Sequence, residues 1–253
     1  MRTANIFILA AAILGLLGCA PAAVKQAADD DKDPQHQYEK GVIAWRYGLA
    51  DEALRYAELA VSLDPRHAQA QNLVGLVQAQ KGDVNAAIAA FEKAVEAKPD
   101  FADAYTNLGN AYLDRLEMAK AGEAYLKAID LDGNYKATYG LARVLYDQKK
   151  YDEALAAVMK SIAKFNRLAS AYNLQGILLT QFGRHAEAVG SFESAFRLAP
   201  DDVTVRINLG LAYVNNKEIE KGRLILERAL PSITDPAVKA KIEGYLKDIR
   251  KED

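Results

Sequence analysis

The feature that most restricts what this chain can fold into is a self-similarity that returns about every 34 residues from Pro34 onward. The clearest copy, residues 68–101, carries Gly75, Ala87, Phe91, Ala94 and Pro99. The copy at 102–134 carries Leu108, Gly109, Tyr112, Ala121, Tyr125 and Ala128, and that at 169–202 carries Gly176, Ala188, Phe192, Ala195 and Pro200. Three weaker copies keep the phase: 34–67 with Gly41, Ala53, Ala60 and Pro65, 135–168 with Ala142, Ala154 and Ser161, and 203–236 with Leu209, Gly210, Tyr213 and Ala229. Each reads as two helices, A and B, joined by a turn. Small residues let helix A approach helix B, and Phe91, Tyr125 and Phe192 fill the space between them. Gly82 and Gly183 suit a left-handed turn, and Pro65, Pro99 and Pro200 stop helix B because proline cannot continue the ladder.

Some copies depart from the pattern. Leu116 replaces a turn glycine, Gly133 and Asn166 replace the terminal proline, and Gly222 replaces the helix B alanine. These read as tolerable degeneracy. After Asp235-Pro236, the residues Val238, Ile242, Leu246 and Ile249 recur at helical spacing. Residues 237–253 are therefore expected to form the amphipathic cap that closes a repeat array, with a partner-binding helix as the alternative.

The small, aromatic and proline positions are those that the tetratricopeptide (TPR) family fills in the same order, and the chain resembles that family across residues 34–236. The resemblance implies an all-α fold, a right-handed TPR solenoid of six helix-turn-helix repeats plus a C-terminal capping helix. It also implies a concave face, lined by the A helices, that binds peptides or helices through positions 2, 5, 9 and 12 of each repeat. That register assigns the partner-binding groove to Tyr38, Trp45, Asn72, Leu76, Asn110, Leu113, Tyr139, Arg143, Tyr146, Asn173 and Ile177. Only Lys136 and Arg143 bring positive charge, which disfavours a clamp for a C-terminal carboxylate. The rest of this lining is apolar and aromatic, and a large exposed apolar patch generally marks an interaction site. The expected ligand is an amphipathic helix or apolar extended segment, anchored by Tyr139 and Tyr146, with Asn72, Asn110 and Asn173 bonding to its backbone. The competing reading is that several of these residues pack against neighbouring repeats or the tether.

The N-terminus reads MRTANIFILAAAILGLLGC. Arg2 supplies a positive start and Ile6 to Leu17 an apolar stretch, shorter than the roughly 20 residues a membrane-spanning helix needs. Leu16-Leu17-Gly18-Cys19 resembles the bacterial lipobox, which implies a signal peptide over 1–18 and lipidation at Cys19. Acyl burial contributes about 0.8 kcal/mol per CH₂, and two or three chains hold a protein where one does not. Ala20 after the cysteine, where aspartate would retain a lipoprotein at the inner membrane, implies export to the outer membrane. Residues 19–33 have no apolar periodicity and read as a tether, whose roughly 14 residues after Cys19 reach at most about 50 Å.

The formal net charge of −2 argues against a nucleic-acid partner, and a single cysteine excludes an intrachain disulfide or a cysteine-based zinc site. His36, His67 and His185 are far apart in the chain and lack metal-ligand spacing. With no nucleophile elbow, P-loop or dinucleotide fingerprint, the expectation is no enzyme, no cofactor, no metal and no small-molecule substrate. Lipobox, tether and six repeats together resemble the type IV pilus biogenesis lipoproteins, the pilotin family. That likeness implies a secretin subunit as partner, attachment to the outer membrane through acyl chains on Cys19, and a periplasmic TPR domain. Two other readings stay open: an envelope adaptor for peptidoglycan enzymes, proteases or an export system, and an enzyme.

Overall fold

A computed structural model describes residues 32–252. The expected signal peptide, the expected lipidation site Cys19 and the expected tether up to residue 31 lie outside the described residues. Among the described residues there are thirteen α-helices, one short 3-10 turn and no strand. Twelve helices form A/B pairs: α1 (Pro34–Arg46) with α2 (Ala50–Leu63), α3 (Ala68–Gln80) with α4 (Val84–Ala97), and α5 (Ala102–Asp114) with α6 (Met118–Asp132). The others are α7 (Tyr135–Asp147) with α8 (Tyr151–Lys164), α9 (Ala169–Gln181) with α10 (His185–Leu198), and α11 (Val203–Asn215) with α12 (Ile219–Ala229). A 3-10 turn (Leu230–Ser232) leads to α13 (Pro236–Glu252). The chain divides into two compact units, Met1–Ala111 and Tyr112–Asp253, with the division inside α5.

Short side chains accept the first N–H groups of several helices. Asp33, the last residue of the tether, caps α1 through Gln35 N–H, and Asp83, Asn134 and Asp202 cap α4, α7 and α11. Asp235 caps α13 by accepting from Ala237 and Val238 N–H, so the last helix takes in Pro236, one residue ahead of the cap marked out in the sequence. Proline at the first helical position loses no hydrogen bond. Helices α2, α4 and α10 end two residues before Pro65, Pro99 and Pro200. The intervening Asp64 and Lys98 are extended, and Ala199 likewise leaves the helical region, as the proline after each requires. Gly133, which stands in for proline, works differently: it adopts a left-handed φ of 64° and caps α6, which runs to 15 residues.

In unit 1, Ala44, Ala53, Ala57, Leu73 and Val77 form a core flanked by Tyr38, Val42 and Trp45. In unit 2 one core comprises Ala142, Ala154, Val158, Ala171, Leu174 and Leu178, and the next Leu179, Ala188, Val189, Phe192, Leu209 and Ala212. The last is Leu226, Ile233, Ile242 and Leu246, which joins α13 to the sixth repeat. Close A–B packing depends on absent side chains. A Cβ at Gly75 would fall 2.5 Å from the Phe91 ring, and one at Gly176 would fall 2.7 Å from that of Phe192. Gly222 is more than a degenerate position, because its Cβ would meet the Gly210 carbonyl oxygen at 2.7 Å.

Candidate functional site

In unit 1 the proposed groove residues Tyr38, Trp45, Asn72 and Leu76 are half-buried, and Asn110 is exposed. Tyr38 and Trp45 pack on the α1–α3 core, and burial raises the Tyr38 hydroxyl pKa above its usual value. The Tyr38 ring lies 5.2 Å from that of His67. His67 is itself structural: Nδ1 accepts from Ala70 N–H to cap α3, while Nε2 meets Gln35 Oε1 at 3.1 Å. The Asn72 carboxamide oxygen accepts from Asn107 Nδ2 at 2.9 Å, so that oxygen is engaged within the fold.

Leu113 departs from its assignment. It is only 5% exposed, buried together with Ala111 and Tyr112 at the end of α5. Thr106, also on the ligand-facing register, is buried and donates its hydroxyl to the Ala102 carbonyl.

In unit 2 five of the groove residues converge. Tyr139, Arg143 and Tyr146 recur at helical spacing along one side of α7. With Asp147, and with Ser170, Asn173, Leu174 and Ile177 of α9, they enclose a cleft of about 210 Å³. Tyr146 is held from behind by Tyr151, ring centroids 5.6 Å apart. Asn173 is fixed by Asn208 of α11, whose Nδ2 donates to its oxygen at 2.9 Å. This leaves the Asn173 amide hydrogens to donate elsewhere. Ile177 also borders a second cleft of about 140 Å³, where Asn208 and Leu211 of α11 form the far wall. The two clefts therefore run on from one another along the A helices.

This surface is more polar than the apolar lining expected. Arg143, Asp147, Ser170 and Asn173 share the first cleft, and Ile207 and Leu211 are partly covered where they pack on the core that includes α13. Ser170 falls on position 2 of its repeat, whereas Asp147, Asn107 and Asn208 lie off the register. Their signal is faint: each asparagine pair is 35 residues apart, one more than the 34 that separates the first helix starts. A wider opening of about 330 Å³ lies between α8, α9 and α10. Its polar groups are engaged with one another, Arg184 with Glu187 in a bidentate pair and Ser191 with Gln175.

Among the described residues no three His, Cys, Asp or Glu side chains gather as a metal site. No helix among them is long and apolar enough to cross a membrane. The A helices of unit 2 carry clefts bearing aromatic, amide and charged groups.

Comparison with known proteins assigns the class. Residues 75–114 match the family described as "TPR repeat", and residues 106–172 and 179–242 match two described as "Tetratricopeptide repeat". Together they span more than half of the chain, which belongs to the tetratricopeptide-repeat proteins. Among individual relatives, it is 29% identical over 186 residues to the mitochondrial import receptor subunit TOM70 of Homo sapiens, covering 68% of this chain and 30% of that protein. It thus spans about three tenths of the length of that receptor. It is also 26% identical over 153 residues to the type IV pilus assembly protein PilF of Pseudomonas aeruginosa, covering 59% of this chain and 61% of PilF. The solved PilF structure superposes with a TM-score of 0.77 at 14% identity, over 86% of this chain and 99% of the other. PilW, described as a type IV pilus biogenesis factor, superposes with a TM-score of 0.70 at 16% identity, over 77% and 91%. At these identities the structural likeness establishes the fold.

Proposed function

We propose that this protein is a lipid-anchored scaffold of the bacterial cell envelope, held at the outer membrane through Cys19, that assists assembly of a type IV pilus secretin. A segment of the secretin subunit binds along the A-helix clefts of unit 2, and no catalytic step is involved. The observation that carries the reading is the convergence of Tyr139, Arg143, Tyr146, Asn173 and Ile177 on one cleft. The similarity to PilF, which spans most of both chains, supports the choice of pathway. Tyrosine pairs give large contact area at low entropy cost, Asn173 donates to a peptide carbonyl, and Arg143 beside Asp147 selects a segment with polar side chains.

The test is in-cell crosslinking and affinity capture of the tagged protein, with wild type, Cys19→Ser and Tyr139→Ala/Tyr146→Ala compared. Secretin recovered with wild type, lost with the tyrosine variant at unchanged helicity, and unable to form multimers with Cys19→Ser is the expected pattern. Equal recovery by the tyrosine variant removes the cleft from the reading. Recovery of cell-wall hydrolases or export proteins without secretin replaces the pilus role with that of a general envelope adaptor. Turnover of a substrate by the purified protein would point to an enzyme instead.

A further inference from the structure

The first repeat ends in a surface that the other repeats bury. Position 10 of the A helix is Val77, Ala111, Val144, Leu178 and Ala212 in repeats two to six, each at most 3% exposed. Within the units these residues pack on the preceding B helix: Val77 shares a core with Ala53 and Ala57, Leu178 with Ala154 and Val158, and Ala212 with Ala188 and Phe192. In repeat one the position is Ile43, which is 55% exposed. Tyr47, one turn further on, is 79% exposed, and Leu49 lies beside it at 47%. Leu49 is the residue before α2, a place that is charged in the other five repeats, as Asp83, Glu117, Lys150, Arg184 and Glu218. Terminal repeats of such arrays need a polar outer face to stay soluble. This end instead carries three large apolar side chains together, which marks an interaction site.

The charges around the patch indicate what covers it. Glu39 and Arg46, both exposed, are seven residues apart on α1 and so lie on one face, about 10 Å apart along the axis. Ile43 sits between them. A face with a carboxylate at one end, a guanidinium at the other and an apolar centre is complementary to itself under a two-fold rotation, the requirement for a closed pair. We propose that α1 is the pairing surface of a homodimer. The two α1 helices lie antiparallel, with the axis beside Ile43. Glu39 of each copy meets Arg46 of the other, and Tyr47 and Leu49 cover the first turn of the opposing helix. The surface is built from unit 1 residues and shares none with the clefts of unit 2.

The test uses the full chain carrying Cys19→Ser, in mild detergent, followed by sedimentation across a concentration series. Wild-type α1 is expected to give a monomer–dimer equilibrium. Glu39→Arg alone and Arg46→Glu alone place like charges together and should weaken dimerisation at least tenfold. The double exchange Glu39→Arg/Arg46→Glu should restore it, an outcome that simple loss of folding cannot produce. In the same background Ile43→Cys should yield a reducible covalent dimer. A monomer at every concentration overturns the proposal, as does a dimer indifferent to both single exchanges. Loss of a heterologous partner from an Ile43→Lys form of a monomeric protein would assign the surface to that partner and equally overturn it.

Discussion

Gly222 occupies the place taken by Ala53, Ala87, Ala121, Ala154 and Ala188 in the other repeats, all essentially fully buried. There a Cβ would come within 2.5 Å of the Val214 side chain as well as 2.7 Å of the Gly210 carbonyl, so two backbones cross in direct contact. Backbone cannot give way as a side chain tip can. Gly222→Ala should therefore cost about 1–3 kcal/mol, the range for overpacking a filled site. Gly190, also within a B helix, meets nothing within 4 Å of its missing Cβ. Gly190→Ala should stabilise by about 0.5–1 kcal/mol through helix propensity alone. Urea unfolding of the pair distinguishes them, and shifts of the same sign would refute the contact argument. The A–B turns offer a second comparison. Gly48, Gly82 and Gly183 hold positive φ, and Leu116, Lys149 and Lys217 hold it too, at 61°, 61° and 65°. A side chain there costs roughly 1–2 kcal/mol. Leu116→Gly, Lys149→Gly and Lys217→Gly should each raise the unfolding midpoint, with Leu116→Gly also removing a side chain that is 75% exposed.

Helices were legible in the sequence because the period placed every small residue, aromatic and stop signal in phase; their partners were not. That Gly140 lies against the Tyr125 ring of the preceding B helix depends on how α7 sits over α6, which the spacing of either sequence leaves open. Gly133 looked like a lost proline and is a left-handed cap. Five groove residues meet because α7 and α9 lie side by side at equal register, and to the polarity of Arg143 and Asn173 their cleft adds Ser170, on position 2 of its repeat, and Asp147, at a place with no repeat-wide signal. Leu113 was misassigned because a register counts turns and not neighbours. The α6–α7 packing has its own signature in alkali. Burial holds the Tyr125 phenol neutral and pushes its pKa up to about 12, from 10. Tyr213 reaches about 12 too, through burial and a 2.6 Å bond donated to Glu193. In both cases the neutral form is favoured by the fold. The stability this represents is complete below pH 10 and is lost as pH climbs from about 10 towards 12. Tyr125→Phe has no proton to lose there and should unfold at higher pH than wild type relative to its own neutral-pH stability. Circular dichroism through an alkaline titration measures this, and an unchanged alkaline limb would show that other groups dominate.

At the scale of the molecule, stability in a repeat array is a sum of local terms and neighbour interfaces. The two ends of the described repeat array differ. The trailing end is closed by α13, whose Ile242 and Leu246 are buried with Leu226 and Ile233 while Val203, Ile207 and Leu211 of α11 pack around them. This helix therefore shields the sixth repeat, and the core it completes takes up part of the Ile207 and Leu211 side chains. Its interface is built from few large side chains, and each truncation there costs about 2–5 kcal/mol. Ile242→Ala/Leu246→Ala should free α13 and expose α11 and α12. Because coupling runs only between neighbours, the loss should fade within a repeat or two. Hydrogen exchange read by mass spectrometry should show α11, α12 and α13 losing protection, while α7 and α8, two repeats earlier in the same unit, keep theirs. Uniform loss across α7 to α13 would mean that unit 2 unfolds as one body, and that α13 is a keystone of that unit and not a local cap.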